Sequence, residues 1–191
     1  MAVIFLIGPP AVGKMTVGLE LERLLGFRLF HNHVAIEMVA PYFSYGTSEG
    51  RRLVKNVRAA FFDAFAANPT GAYIFTYVWA FGVPGEREYV DGIAETFAKG
   101  GHDLFWVELE ARVEERLKRN RTALRLEHKP TKRDLDWSEK NLLETDAKYR
   151  LNSEDGEIGQ TNYLRIDNTD LSPLETAELI CRRFVLVEPG A

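Results

Sequence analysis

Seven residues near the start of the chain, Gly8-Pro9-Pro10-Ala11-Val12-Gly13-Lys14, follow a G-x-x-x-x-G-K spacing. The pattern stands between an apolar run, Val3 to Ile7, and a helical pattern that begins at Lys14. Glycines at these positions let backbone N–H groups turn inward around phosphate oxygens, and the following helix adds its positive N-terminal end. The lysine supplies a point charge for the outer phosphates. Chemistry of this kind predicts a bound polyphosphate anion; a tight strand-to-helix turn carrying a surface lysine is the alternative. Met15 holds the place where a hydroxyl would ordinarily meet Mg2+, and the hydroxyl comes one residue later, at Thr16.

Further candidates come in clusters. His31, His33 and Glu37 follow the second apolar run. A histidine with an ordinary pKa near 6.5 is mostly neutral at physiological pH and can accept a hydroxyl proton, so His33 is a candidate base. If His31 and His33 share one face of a strand, with Glu37 approaching from the next helix, a transition-metal site and hydrogen-bonded structural histidines are further readings. Arg51, Arg52 and Arg58 lie on one helical pattern and either hold a carboxylate or phosphate bidentately or form a solvated basic face. Tyr77, Trp79 and Phe81 follow the third apolar run, where they line an acceptor pocket or pack in the core.

These residues need a scaffold, and the chain supplies an alternating one. Apolar runs at Val3 to Ile7, Phe27 to Phe30, Tyr73 to Val78, Leu104 to Leu109 and Tyr163 to Ile166 predict five short strands. Helical periodicity falls at 14–25, 34–39, 49–67, 86–99, 112–119 and 134–149, and a capping pattern at 167–172 places a closing helix over 174–184. Alternation of this kind predicts an α/β fold with a parallel sheet covered on both faces. Residues 152–160 (NSEDGEIGQ) are turn-like and acidic and predict a mobile surface loop; the tail, 188–191, predicts fraying.

The 191 residues fit a single domain, and 46% hydrophobic with 27% charged residues matches a globular chain. A net charge of −4 provides no overall attraction for nucleic acid. Apolar stretches are far shorter than the roughly 20 residues a membrane helix needs, and the start lacks the basic region of a signal peptide. Cys181 is the one cysteine, which fits a reducing compartment, so the expected location is the cytoplasm, as a monomer or homodimer without membrane or nucleic-acid partners.

With the loop, the length and the arginine distribution in view, the chain resembles the shikimate kinase and gluconate kinase group of the nucleoside monophosphate kinase superfamily. The resemblance implies a P-loop NTPase fold: one five-stranded parallel sheet flanked by helices, a substrate-binding helical insertion at 34–70, and a lid with its following helix at 116–156. It implies ATP and Mg2+, a small-molecule acceptor, and nucleotide contacts from Gly8, Pro9, Pro10, Ala11, Val12, Gly13, Lys14, Met15 and Thr16. In this group two aspartates occupy the positions of His31 and His33, one near Mg2+ and one facing the substrate hydroxyl.

Residues 46–53 (GTSEGRRL) are similar to the region that anchors the acidic substrate. By position in the lid segment Arg112 to Arg125, Arg119 stacks on adenine and Arg121 and Arg125 face phosphates; Arg119 paired with Glu115 as an exposed helix pair is the alternative. Asp170 and Pro173 fall in the adenine-side loop, and capping the last helix is their other role. What this implies is transfer of the γ-phosphate of ATP to a hydroxyl of a small anionic molecule. A nucleoside monophosphate kinase, and an ATP-binding regulator or resistance protein with little transfer activity, are the competing readings.

Overall fold

Strand β1 (Ala2–Ile7) is apolar on both faces and almost fully buried, the property of a strand with neighbours on both sides and helices above and below. In the computed structural model, which describes residues 1–186, it is the centre of a five-stranded sheet ordered β2-β3-β1-β4-β5. The other strands are β2 (Arg28–Phe30), β3 (Tyr73–Tyr77), β4 (Asp103–Glu110) and β5 (Tyr163–Asp167), and every pairing is parallel. Chain order follows as α1 (Lys14–Leu25), α2 (His33–Val39), α3 (Ser48–Ala66), α4 (Glu86–Lys99), α5 (Val113–Asn120), α6 (Ala123–His128), a 3-10 turn (Pro130–Lys132), α7 (Leu135–Lys148) and α8 (Pro173–Phe184). The expected α/β fold is the one observed, with a five-stranded all-parallel sheet flanked by helices. The expected tail at 188–191 lies outside the described residues.

Alternation along β1 divides the interior in two. Val3, Phe5 and Ile7 join a core with Phe75, Phe97 and Trp106 under α3 and α4, whereas Ile4 and Leu6 join Val17, Leu21 and Ile180 under α1 and α8. The first core is strongly aromatic: Phe5 stacks on Trp106 with ring centroids 4.4 Å apart, and Phe75 lies 5.0 Å from Phe97. Both cores run the length of β1, from Val3 and Ile4 to Leu6 and Ile7, and so reach the end of the strand from which the next loop leaves.

At the end of β1 the chain passes through Gly8 with φ +132°, and a Cβ at this residue would lie 2.2 Å from the carbonyl oxygen of Leu109. Backbone of β4 cannot retreat from that contact without breaking its pairing with β1. Gly8→Ala is therefore expected to destabilise by about 2–5 kcal/mol, the sum of left-handed backbone strain and overpacking. A chemical-denaturation midpoint compared with wild type checks it.

Three expectations are corrected here. Strand β2 ends at Phe30 and His33 is already the first residue of α2, so the two histidines do not share a strand face. Trp79 is 3% exposed and stacks on Phe81 at 4.6 Å, packing in the core rather than lining an acceptor pocket. Residues 152–160 are tied down: Glu108, wholly buried, accepts hydrogen bonds from Asn152 Nδ2 (2.8 Å), Ser153 N (2.8 Å), Ser153 Oγ (2.6 Å) and Tyr163 Oη (2.7 Å), and Ile158 joins the first core. Four donors satisfy a carboxylate that burial alone would penalise, and the segment is fixed as a result. No helix among the described residues is long and apolar enough to cross a membrane.

Candidate phosphate and acceptor site

Between β1 and α1 the backbone winds through positive φ at Gly8, Ala11 (61°) and Gly13 (109°). Outer carbonyls of this loop are held from behind. Arg116 Nε donates to Pro10 O (3.1 Å), and Arg119 Nη1 and Asn168 Nδ2 donate to Val12 O (2.8 and 3.0 Å). With its carbonyls fixed on that side, the loop has N–H groups left for an anion, and α1 opens at Gly13 with no side-chain cap on its first amides. Lys14, almost buried, folds back so that Nζ donates to Gly8 O (2.6 Å) and Pro9 O (2.7 Å).

The loop floors a cavity of about 360 Å3 that residues 10–17 share with Asn32, His33, Thr76, Arg119, Arg125, Lys129, Asn168 and Pro173. Its electrostatics are positive. Burial pushes the Lys14 ammonium well below its ordinary pKa, and Lys129, Arg125 and Arg116 add to the lowering. Burial likewise lowers Lys129 to about 7, with Arg125 and Lys132 contributing, and Arg125 to about 10. The acid at the wall, Glu115, is already paired with Arg119 (3.1 Å). Cations crowded in this way, with Glu115 and Glu37 already engaged by Arg119, His33 and Thr131, favour a polyanion in the cavity.

On the far wall His33 Nδ1 lies 3.0 Å from Glu37 Oε1. Burial lowers His33 to about 4, against the Glu37 hydrogen bond, which raises it; Lys129 and Lys132 push it further down. For Glu37 burial raises the pKa, and hydrogen bonds from His33 and from the Thr131 hydroxyl and N–H outweigh it, holding the carboxyl below its ordinary value. A neutral ring beside an ionised carboxylate assigns the proton to Nδ1, which donates to Glu37 and leaves the Nε2 lone pair free to accept. His31 is lowered to about 4 by burial, then by Lys129 and His128, and its Nδ1 is buried without a partner.

The sequence candidates separate into three groups in space. Lys14, Met15, Thr16, His33, Arg119, Arg125 and Pro173 meet at the cavity with loop residues Pro10 to Gly13, while Gly8 and Pro9 form its base through the Lys14 contacts. Arg58 is 7% exposed, donates from Nη2 to Asn32 O (3.2 Å) and leaves Nε without a partner. It lines a small second cavity with Phe62, Phe75, Tyr77, Tyr89 and Trp106; Asn32 and Thr76 border both cavities.

Outside the cavities stand Arg121, which is 60% exposed and pairs with Glu139, and Asp170, which pairs with Arg112 (2.8 Å). Arg51 and Arg52 are exposed on α3, and Arg51 Nη1 donates to Gly46 O (2.7 Å). Arg119 reaches the cavity, but its guanidinium is engaged by Val12 O, Asn168 O (2.8 Å) and Thr169 O (3.1 Å), so it braces the loop instead of presenting a free face. Lys129 and Asn168 were not singled out by sequence. The available signal for Lys129 was the Lys-Pro pair itself, since proline restricts the residue before it and ends any helix that precedes it.

The carboxylate that lines this cavity, Glu115, is taken up by Arg119. Met15 is buried, the Thr16 hydroxyl donates to Gly13 O (2.9 Å), and no group of three or more His, Cys, Asp or Glu suited to a metal ion occurs among the described residues. The donor set therefore does not fit direct protein ligation of Mg2+.

No family model matches the chain, and no curated protein aligns with it in sequence. Solved structures do match. A gluconokinase from Sinorhizobium meliloti superposes over 96% of this chain and 91% of its own with a TM-score of 0.58 at 16% identity. Shikimate kinase from Acinetobacter baumannii, solved with shikimate, does so over 97% and 93% with a TM-score of 0.58 at 19% identity. The fold is that of P-loop small-molecule kinases. A Deinococcus radiodurans tunicamycin resistance protein superposes over 99% of both chains, with a TM-score of 0.54 at 21% identity.

Proposed function

We propose that the protein transfers the γ-phosphoryl group of ATP to a hydroxyl group of a small anionic metabolite. The observation that carries this reading is the convergence on one cavity of a phosphate loop, two unpaired cations and a neutral histidine oriented by a carboxylate. In that reaction His33 Nε2 takes the acceptor's hydroxyl proton, and the acceptor oxygen forms a new bond to the γ-phosphorus. The bond from that phosphorus to its bridging oxygen breaks, and ADP leaves with the electron pair. Lys14 leaves the carbonyls of Gly8 and Pro9 to meet the phosphates, and Arg125, anchored by its Nε on Asn120 Oδ1 (3.0 Å), adds charge from the lid side. Bound polyphosphate also raises the His33 pKa from about 4 toward neutrality, where a general base works best.

Arg58 anchors the acceptor's negative group, supported by its burial, its free Nε and the shared border of the two cavities at Asn32 and Thr76. The chain acts as one domain in which 34–70 carries the acceptor side and 116–156 closes over the nucleotide. Any Mg2+ that accompanies ATP is left to phosphate oxygens and water, given the donor set. Cytoplasmic location and a monomeric or homodimeric state complete the reading.

An ATP-consumption assay across sugar acids, hydroxy acids, nucleosides, nucleoside monophosphates and tunicamycin tests it. The expected result is acceptor-dependent ADP release with an anionic hydroxyl compound. Turnover confined to nucleoside monophosphates and indifferent to His33 would assign a phosphate acceptor; tight ATP binding with no acceptor-dependent turnover would favour a regulator or resistance role.

A further inference from the structure

Lys129 is the cavity-lining cation that neither the loop nor the resemblance accounts for. It ends α6 in a non-helical conformation (φ −134°, ψ 70°), as Pro130 requires, and the 3-10 turn beyond it is clamped on two sides. On one side Glu37 of α2 accepts from Thr131 N (3.2 Å) and Thr131 Oγ1 (2.5 Å). On the other, Lys132 Nζ donates to Asn141 Oδ1 of α7 (3.0 Å) and lies 4.3 Å over the Trp137 ring. The clamp leaves Lys129 at the cavity beside Lys14, Arg125 and His33.

We infer that Lys129 is a catalytic residue that contacts the transferred phosphoryl group and, protonated when that group is bound, supplies positive charge beside His33 on the wall opposite the loop. The inference rests on the kinase reading above. Its position is fixed by α2 and α7 together, so the charge is in place only when the turn is docked on Glu37. The acid acting on it, Glu37, is already engaged by His33 and Thr131, so a phosphate group is its natural partner.

Every group facing Lys129 bears on its protonation: Arg125 from α6, His128 at the end of α6, Lys132 from the turn, Glu37 and His33 from α2, His31 from the preceding link and Lys14 from α1. Apart from Glu37 none of these is an acid, and burial with Arg125 and Lys132 holds Lys129 at about 7. At pH 8 the free protein carries it mostly neutral. An arriving polyphosphate raises its pKa, so binding draws a proton from solution.

The test titrates the full-length protein with ATP by calorimetry at pH 8 in buffers of different ionisation heat, alongside turnover. Wild type is expected to take up protons on binding. Lys129→Met should lose a large part of one proton of that uptake and about 10²-fold in turnover, the scale of removing one preorganised charge. Lys129→Arg should recover most of the turnover without recovering the uptake, which a packing role would not produce. If wild type binds ATP but Lys129→Met matches it in both uptake and turnover, the assignment is wrong while the kinase reading stands. If wild type does not bind ATP, the kinase reading falls and takes the assignment with it.

Discussion

Lys14→Ala is expected to weaken ATP binding by at least about 10²-fold and turnover by about 10³-fold or more, because the ammonium stabilises charge that grows on the transferred group. Thermal stability should stay level or rise. In the free protein Lys14 is almost buried and its nearest charged neighbours are cations, so its folded pKa lies well below the ordinary value. The unfolded chain then binds the proton more tightly than the folded one, and carrying that charge at neutral pH costs stability. A variant that loses ATP while keeping its melting temperature separates a phosphate contact from a structural lysine. Equal ATP affinity in the variant would remove the loop from the mechanism.

His33→Gln is the second large effect, with turnover expected to fall about 10²- to 10⁴-fold while ATP affinity is kept. Glutamine retains a donor for Glu37 but cannot accept a proton. The pH profile gives an independent check. In the free protein His33 is held at about 4, so the acid limb of kcat/KM belongs near pH 4, not near the ordinary histidine value, and the limb of kcat lies higher because bound phosphates raise the pKa. Stability follows with a definite sign. Between about pH 6.5 and 4 the unfolded chain takes up a proton that folded His33 refuses, so stability falls as pH drops through that window and levels off below it. His33→Gln should reduce that slope, leaving the share from His31, which is lowered to about 4 as well.

Much of the framework was legible because it depends on contiguous residues. The phosphate loop is one run of seven, and each strand is an apolar run whose neighbours are separated by helical periodicity. Spatial partners were harder to read. His31 and His33 appeared to alternate on a strand because apolar Phe27 to Phe30 gives no sign that an edge strand stops after three residues and a helix starts at His33.

Trp79 and Phe81 carry the same alternation in a core as they would in a pocket, and what settles the matter is the aromatic layer contributed by Trp106 and its neighbours. The acidic stretch 152–160 looked solvated because the groups that fix it, Glu108 and Tyr163, come from strands 40 or more residues upstream and several residues downstream. Lys129 was hidden for a related reason: its value comes from the clamp on the turn after it, made by Asn141 on the next helix and by Glu37 more than 90 residues upstream.

A crystal grown with a non-hydrolysable ATP analogue tests the central claim most directly. The account predicts triphosphate density inside the loop of residues 8–16, with the first amides of α1 on its oxygens and Lys14 Nζ moved off the carbonyls of Gly8 and Pro9. An empty loop at saturating analogue, with Lys14 still bonded to those two carbonyls, would contradict it.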